Sequence, residues 1–482
     1  MSKKSREKFA SSEENQKAVD KKLFFKECVN SIVRGSMLGM ILSMAVLPTA
    51  DSVRSVMNKT EYLSKGFVIP EDERTGDNIL MTASFSTGEL IKKEDGFSIS
   101  YYNIDDPVFL AWKNILGQLP QGTHVRLVTE SDTSEILVQA LRKEYPYLTI
   151  SPYAVVEKSD LMPYLAYPRD AFFATGRVDE KNKFVLLQSE TDTIMNKSML
   201  DASASLKDEE GYTSVIYTVI RGEIDKVLAI KSPDVFALKG VQPSCINGDL
   251  QAVRFPGGKS GLILGRENLY ASLIASNLLK ARTDKRLELS LRASINDVEM
   301  IKTLYKNTFA VDEVVLLGEE ELIRKFDNQR FLSLHEDIKR HEVFHSDMVV
   351  VVASDPLLPG NVLAFMNNIS EIDGKAVGTE ISRESLDYLK ECRGQFESLG
   401  CEIVDLPCGP LPTLNYVNTD MFNKDGVQYV VVPQYGCSTD DAAVQIYEER
   451  GFKVIKVDMS VLFEYQDPAC AGSVHCLTSV LN

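Results

Sequence analysis

The sequence lacks the patterns that mark several large classes of protein. None of its eight cysteines forms a CxxC pair, so it contains neither a zinc ribbon nor a thioredoxin-type redox motif. Basic residues are in deficit, with 53 Lys and Arg against 69 Asp and Glu and a net charge of -16, whereas nucleic-acid-binding proteins carry a basic surface. No biased tract occurs, and a content of 44% hydrophobic and 25% charged residues is typical of a globular protein. We therefore expect a folded protein without a nucleic-acid partner.

The sequence also lacks an apolar run of the roughly 20 residues that a membrane-spanning helix needs. An uncharged stretch of 16 residues, 35–50, lies between Arg34 and Asp51 in a segment, 1–74, that we expect to be an N-terminal extension. The stretch suits the core of a signal peptide that ends in small residues near Ala50, but an amphipathic or buried helix explains it equally well. The sequence leaves the location of the protein open between cytoplasmic and, if 35–50 is a signal peptide, secreted. Membrane association is expected only if 35–50 is an anchor.

Residues 75–482 predict an α/β fold in a single domain. Short apolar segments typical of strands alternate with amphipathic segments typical of helices. The clearest examples are a strand over 124–129, a helix over 134–145 and a strand over 147–150. No linker rich in Pro, Gly or Ser and no block of charge divides the region, so it contains no evident domain boundary.

One pattern occurs twice near the C-terminus. A predicted helix is followed by a glycine and then by a predicted strand. The helices cover 385–399 and 441–450, and the strands cover 401–407 and 452–458. Gly400 and Gly451, which we expect to end the helices, are 51 residues apart, and residues 298–317 form a looser copy. The recurrence predicts repeated supersecondary units.

Two motifs point to chemistry that their surroundings do not favour. Residues 255–260, FPGGKS, resemble a phosphate loop, but Val253 stands where the first glycine belongs and a strand-like segment follows, so we predict a hairpin turn. Residues 341–345 have the spacing HExxH, in which two histidines on one helix face bind zinc. The β-branched run that follows predicts a buried strand over 346–353 instead of a continuing helix.

A zinc metallohydrolase nevertheless remains an alternative. Its ligands would be His341 and His345, with a carboxylate such as Glu371 as the third, since the only later histidine is His475. We expect no bound metal ion and no other cofactor.

Four short segments each carry a reactive or charged group at the end of a predicted strand. They are YPRDAFFATG at 167–176, NGD at 247–249, FHSDM at 344–348 and AGSVHCLT at 471–478. Each alone has a structural explanation, such as a surface salt bridge, a turn or a buried thiol. Together they supply a thiol, an imidazole and carboxylates. These groups can attack a cationic carbon, because carboxylates pair with N–H groups, a thiolate is a nucleophile and an imidazole moves protons.

The segments at 167–176, 344–348 and 471–478, in this order and with a cysteine near the C-terminus, resemble the guanidino-group-modifying superfamily of arginine deiminases, agmatine deiminases and amidinotransferases. The resemblance covers about residues 160–482 through short motifs, of which Gly-x-x-His-Cys-x-Thr is the most specific. It implies a pentein fold, an α/β propeller with five blades of ββαβ type around a pseudo-fivefold axis and the active site at the centre. Residues 75–482 would form this single catalytic domain.

The resemblance also implies roles for individual residues. It places the nucleophile at Cys476, the acid and base at His345, and carboxylates that hold the guanidinium at Asp170 and Asp347. We expect Arg169, next to Asp170, to contact the substrate as well.

The sequence departs from the superfamily at one position. Deiminases of this type usually have Glu-Gly-Gly-Asp in the second unit, where this chain has Ile-Asn-Gly-Asp at 246–249, so the customary Glu is absent. Either Asn247 or Asp249 replaces it in binding the substrate, or the substrate differs.

The expected function is hydrolysis of the guanidinium group of arginine or an arginine-like small molecule or peptide through a covalent amidino-cysteine. An amidinotransferase, which passes the amidino group to an amine, is the main alternative, and the YPRD motif leans toward it. We favour hydrolysis because it needs no second substrate pocket. A pentein-fold binding protein without catalytic activity is a further alternative, although the sequence retains Cys476, His345, Asp347 and Asp170.

Overall fold

The computed structural model describes the chain from residue 69 onward, with gaps. The described residues are 69–82, 90–93, 96–99, 107–130, 134–156, 173–176, 184–189, 235–238, 247–266, 268–270, 272–273, 292–328, 332–333, 345–368, 370, 383–410, 414–465 and 473–481. The uncharged stretch 35–50 lies outside them. Within this part of the chain, no helix has both the length and the apolar character needed to cross a membrane.

Strands and helices alternate along the chain, as the sequence predicts. The strands are β1 (Asn78–Thr82), β2 (Leu90–Lys93), β3 (Gly96–Ile99), β4 (His124–Glu130), β5 (Thr149–Val156), β6 (Phe173–Gly176), β7 (Phe184–Ser189), β8 (Val235–Leu238), β9 (Leu250–Phe255), β10 (Lys259–Leu264), β11 (Arg292–Ala293), β12 (Glu313–Leu316), β13 (Leu332–Ser333), β14 (Val350–Ser354), β15 (Val362–Asn367), β16 (Glu402–Leu406), β17 (Asp420–Lys424), β18 (Val427–Gln434), β19 (Lys453–Asp458) and β20 (Ser479–Leu481). The helices are α1 (Pro107–Gln118), α2 (Ser134–Glu144), α3 (Ile295–Phe309), α4 (Glu319–Asn328), α5 (Arg383–Ser398), α6 (Asp440–Glu449), α7 (Ser460–Tyr465) and α8 (Val474–Leu477). The mixed α/β class is therefore confirmed.

Five of the sheets share one arrangement of strands. In each, a strand pairs antiparallel with a second strand, which pairs parallel with a third. The five sheets are β6-β7-β8, β9-β10-β12, β14-β15-β16, β17-β18-β19 and β20-β1-β4, the last of which β5 extends.

A parallel pair needs a crossover connection, usually a helix. Among the described residues, a helix lies between the two parallel strands in four of these sheets: α1 between β1 and β4, α3 between β10 and β12, α5 between β15 and β16, and α6 between β18 and β19. The strand order is that of a ββαβ unit. The arrangement of the sheets as five blades around an axis remains a prediction.

Local sequence signals explain several elements. Gly400 and Gly451 end α5 and α6 with φ angles of 84° and 85°, in the left-handed region that glycine adopts without strain. The predicted hairpin turn is found at Pro256–Gly258, where β9 reverses into β10. The predicted strand over 346–353 is wrong at its start, because Ser346–Met348 forms a 3-10 turn and β14 begins only at Val350.

Aromatic packing joins neighbouring sheets and helices into one core. Phe365 of β15 has its ring centroid 4.6 Å from that of Tyr447 in α6 and 5.7 Å from that of Phe452, which precedes β19. All three side chains are buried in a hydrophobic cluster that also includes Trp112 of α1 and Val480 of β20. Because this cluster draws on both ends of the described chain, the sheets that carry the site are held in a fixed relation.

Two glycines of the α5 segment should respond in opposite ways to alanine. Gly394 lies inside the helix, and a methyl group there would meet no atom within 4 Å, so Gly394→Ala should raise the free energy of unfolding by about 0.5–1 kcal/mol. Gly400 has a φ of 84°, which an L-residue adopts only at a cost, so Gly400→Ala should lower the free energy of unfolding by about 1–2 kcal/mol. Urea unfolding of the two variants and the parent protein measures both. A neutral Gly400→Ala would contradict the left-handed helix end.

Candidate active site

A 3-10 turn, Glu71–Glu73, precedes β1 and directs successive carboxylates to different parts of the fold. Asp72 Oδ2 accepts a hydrogen bond of 2.8 Å from the backbone N–H of Ser354, at the end of β14. Glu73 pairs with Arg254 of β9 through two hydrogen bonds. These residues fall in the segment predicted as an N-terminal extension, but Asp72 is buried. The turn packs as part of the body and connects two sheets.

Glu71 reaches the C-terminal end of the chain. Its Oε2 lies 3.0 Å from Nε2 of His475, a residue 404 positions away in the sequence. Arg74 donates a hydrogen bond of 3.0 Å to the backbone O of Val480 in β20, and its guanidinium lies 3.9 Å from the Glu71 carboxylate. Glu71, Arg74 and His475 are all buried. The first described turn and the last described strand are therefore joined by buried polar contacts.

His475 lies between two carboxylates. Its Nδ1 is 2.7 Å from Asp347 Oδ2 and its Nε2 is 3.0 Å from Glu71 Oε2, with only 1% of the residue exposed. An ionised carboxylate can only accept hydrogen bonds, so both ring nitrogens can be satisfied together only if both carry a proton. The arrangement favours the imidazolium form of His475, held by two negative charges.

Cys476 follows His475 in α8 and is also buried. Its Sγ lies 3.6 Å from Asp347 Oδ2, close enough for the thiol to donate to the carboxylate. Asn418 Nδ2 donates to the same sulfur at 3.2 Å. Thr478, which ends the short helix, has its Oγ1 2.8 Å from the backbone O of Val474 and also within hydrogen-bond distance of the Asp420 carboxylate, so its one proton can go to either acceptor. The helix that carries the sulfur is thus anchored at its end.

Asp347 lies in the 3-10 turn Ser346–Met348, which is held from two sides. Gln251 of β9 donates a hydrogen bond of 3.0 Å to Ser346 Oγ, and Asn415 donates one of 3.2 Å to the backbone O of Met348. Asp347 Oδ2 is shared by His475 and Cys476. Asp347 Oδ1 is buried and has no hydrogen-bond partner among the residues that the structure describes.

Asp249, predicted to bind substrate, lies beneath this turn and is fully buried. Its Oδ2 accepts from the backbone N–H of Asn268 at 2.7 Å, and its Oδ1 accepts from that of Ser346 at 3.1 Å. A methyl group on Gly265 would lie 1.5 Å from Asp249 Oδ1, so only glycine fits at that position. In this geometry Asp249 supports the turn that carries Asp347, and its contact with a substrate remains a prediction.

His345 immediately precedes the same turn and is partly exposed. Its backbone is extended, with φ −105° and ψ 149°, so no helix runs through this residue as an HExxH zinc site requires. His341 and Glu371, the other ligands of that alternative, lie outside the described residues. Within the described ranges, no group of three or more His, Cys, Asp and Glu side chains is placed to hold a metal ion.

The candidate residues share one position relative to the five similar sheets. Asp170 precedes β6, Asn247 precedes β9, Asp347 precedes β14 and Cys476 precedes β20, each by three residues, and Asn418 precedes β17 by two. In each sheet the strand that follows is the one paired antiparallel to the middle strand. Arg169 and Asp170 lie outside the described residues.

Three residues of the site were missed by sequence reasoning. No role is predicted for His475 from the sequence, although its place beside the cysteine in the motif is a usable signal. Asn418 follows Asn415 in a segment without a recognised motif, and Glu71 is one of several acidic residues in a row. No local pattern indicates that Glu71 pairs with a histidine at the other end of the chain.

The buried Asp72 should make stability depend on pH. Burial raises the pKa of its carboxyl from an ordinary 3.8 to about 6. The folded protein therefore holds this proton more tightly than the unfolded chain, and the resulting stabilisation is lost as pH rises through about 6. Relative to Asp72→Asn, the parent protein should lose up to about 3 kcal/mol of unfolding free energy between about pH 4 and pH 7.

Urea unfolding at a series of pH values measures this difference. Asp312→Asn is the control, because hydrogen bonds from Ser260 lower the pKa of the exposed Asp312 and its contribution changes only below that range. A difference between parent and Asp72→Asn that does not vary with pH would contradict the assignment.

No family model matches the chain, and no curated protein does. Among solved structures, an agmatine deiminase from Enterococcus faecalis has 13% identity and a TM-score of 0.48 over 87% of this chain and 96% of its own. An agmatine deiminase from C. jejuni has 13% identity and a TM-score of 0.43 over 86% and 95%. An amidinotransferase from Microseira wollei has 10% identity and a TM-score of 0.36 over 86% and 97%. The chain is similar in structure to these enzymes.

Proposed function

We propose that the protein is a cysteine-dependent enzyme that modifies guanidino groups, with Cys476 as the nucleophile. One observation carries the proposal: the sulfur lies 3.6 Å from Oδ2 of Asp347, whose Oδ1 is buried without a hydrogen-bond partner among the described residues. A buried carboxylate oxygen without a donor is costly. A guanidinium supplies that donor together with a positive charge, and its planar N–H groups match a carboxylate. Binding at Oδ1 would bring the electrophilic carbon close to the sulfur.

The first chemical step forms a covalent intermediate. A cysteine with an ordinary pKa of about 8.5 is mostly thiol at neutral pH, so a nearby cation must favour the thiolate. In the proposed reaction the thiol proton passes to His345 and the thiolate adds to the guanidinium carbon. His345 then returns a proton to the departing nitrogen, which leaves as an amine or ammonia. The product is an amidino-thioether on Cys476.

The two histidines suit different roles. His475 has both nitrogens within 3.0 Å of carboxylates and is enclosed, so it is suited to hold Asp347 and the short helix in place. His345 is partly exposed and stands two residues from Asp347, where a side chain can exchange protons with substrate and water. We assign acid and base catalysis to His345 and positioning to His475.

The second step decides between hydrolysis and transfer. In hydrolysis His345 removes a proton from water, oxygen adds to the amidino carbon, and the carbon–sulfur bond breaks to give a ureido product and the free thiolate. In transfer an amine takes the place of water. We favour hydrolysis as the reaction and arginine or an arginine-like compound as the substrate, with amidino transfer as the alternative.

The finer fold is part of the proposal. We infer that the five similar sheets are the units of a pentein fold, arranged around an axis with the site at the centre. Contacts between segments that precede different sheets support it: Cys476 contacts Asp347 and Asn418, and Asp249 accepts from Ser346. Asp170 and Asn247 hold the equivalent positions before their sheets, which makes them the further candidates for contact with the guanidinium.

A panel of guanidino compounds tests the activity. Arginine, agmatine, methylarginine and an arginyl peptide are incubated with the protein, and ureido product, ammonia and amidino transfer to an amine are scored separately. At least one compound should be turned over. Cys476→Ser should reduce turnover to background, because a serine hydroxyl is not ionised without a dedicated base. Cys437→Ser, which removes a partly exposed thiol elsewhere, should remain active.

The same panel separates the alternatives. A chelator should leave activity intact and iodoacetamide should abolish it, with substrate slowing the modification of Cys476. Binding of a guanidino compound without turnover would favour a binding protein. Stoichiometric zinc together with activity that resists alkylation would overturn the proposal in favour of the metallohydrolase.

His345→Ala should slow turnover by about 10²–10⁴-fold, since both leaving-group protonation and water activation depend on this residue. If the substitution slows hydrolysis of the amidino-thioether more than its formation, the amidino adduct accumulates on Cys476. Mass spectrometry of the intact variant after incubation with substrate detects the added mass. The adduct should be absent when Cys476 is also replaced by Ser, and near-normal turnover by His345→Ala would remove His345 from the mechanism.

A further inference from the structure

Asn418 makes a direct contact with the proposed nucleophile. Its side chain is fully buried, and its Nδ2 donates to Cys476 Sγ at 3.2 Å. Its Oδ1 accepts a hydrogen bond of 3.1 Å from the backbone N–H of Ser473. Because a backbone N–H can only donate, this bond determines which end of the amide is oxygen. The NH₂ end of Asn418 therefore faces the sulfur.

The loop that carries Asn418 is held independently of the sulfur. Asn415 Oδ1 accepts from the backbone N–H of Val417 at 3.0 Å and from that of Asn418 at 3.1 Å. Tyr435 OH bonds to the backbone O of Asn415 at 3.0 Å and to Ser473 Oγ at 2.9 Å. The donor is consequently in place before any substrate arrives.

Two polar contacts of the sulfur, with Asp347 and with Asn418, have opposite effects on its ionisation. The contact with Asp347 Oδ2 favours the thiol, because S–H can donate to a carboxylate whereas a thiolate is repelled by it. The contact with Asn418 Nδ2 favours the thiolate, because a hydrogen bond to an ionised acceptor is stronger than one to a neutral acceptor. Asn418 thus opposes the effect of the neighbouring carboxylate.

We infer that Asn418 is a catalytic residue that stabilises the Cys476 thiolate and directs its lone pairs, through the hydrogen bond from Nδ2 to Sγ. The amide gains and loses no proton; the thiol proton leaves Sγ for His345 or for solvent. The inference rests on the proposed function for the attack on substrate. Ionisation of the thiol, however, can be measured without any substrate.

The test is the pH dependence of alkylation of Cys476 by iodoacetamide, followed by mass spectrometry of the peptide that contains it. Asn418→Asp keeps an oxygen for Ser473 but loses the donor to sulfur, whereas Asn418→Ala loses both. We expect the midpoint pH of alkylation to rise by one unit or more in Asn418→Ala, which corresponds to about a tenfold smaller thiolate fraction at pH 7. The midpoint should rise further in Asn418→Asp. An unchanged midpoint in Asn418→Ala would overturn the inference, whereas the rise in Asn418→Asp also contains the repulsion between the introduced carboxylate and the thiolate.

Internal controls are available in the same digest. Cys437, which is partly exposed, should react alike in all variants, and the fully buried Cys392 should stay protected in every variant that is folded.

A second measurement does not depend on whether the Asn418 variants fold. In protein labelled with ¹⁵N at asparagine, the side-chain amide signal of Asn418 should shift with pH at the midpoint found for alkylation. The shift should be absent in Cys476→Ser. A signal that does not respond to ionisation of Cys476 would overturn the inference. Since neither measurement uses a guanidino compound, their outcome is independent of whether the panel of compounds is turned over.

Discussion

The buried interaction of Glu71, His475 and Asp347 is the constraint on which the rest of the site depends. Each residue comes from a different region of the chain, and each is buried. Breaking such a charged cluster by removing one partner leaves an uncompensated charge, at a typical cost of about 3–5 kcal/mol. The turn before β1, the turn before β14 and the short helix before β20 must therefore assemble together. A helix of only four residues has little stability of its own, so this pairing, with the contacts of Thr478, defines where the sulfur lies.

The position of the site follows from repetition in the fold. Five sheets have the same strand order, and the residues of interest stand two or three positions before the antiparallel strand of each sheet. Repetition supplies equivalent positions, and sequence divergence then gives each a different side chain. One position carries a cysteine, another a carboxylate and a third an amide donor. This division of roles is not visible in the sequence, because the segments share a place in the fold and no common motif.

The parts predicted correctly from the sequence are those governed by local signals. Gly400 and Gly451 end helices because their φ angles are positive, and the turn at Pro256–Gly258 follows from its own residues. The strand predicted over 346–353 starts late because distant partners, Asp249 and Asn415, hold Ser346–Met348 in a turn. Such tertiary contacts override the β-propensity of the segment. The family resemblance predicts that Cys476 and Asp347 belong to one site, whereas no local signal predicts the contact of Glu71 with His475.

In the proposed reaction, the charges of the site would let a cationic substrate activate the cysteine. In the structure Asp347 Oδ2 is shared by His475 and the thiol of Cys476, so the carboxylate favours the protonated sulfur. A guanidinium at Oδ1 would offset the negative charge of Asp347 and weaken this preference. The amide of Asn418 and the arriving cation would then both favour the thiolate. In the proposed reaction the sulfur thus stays a thiol until a substrate with the right charge is bound, which limits its reaction with other compounds.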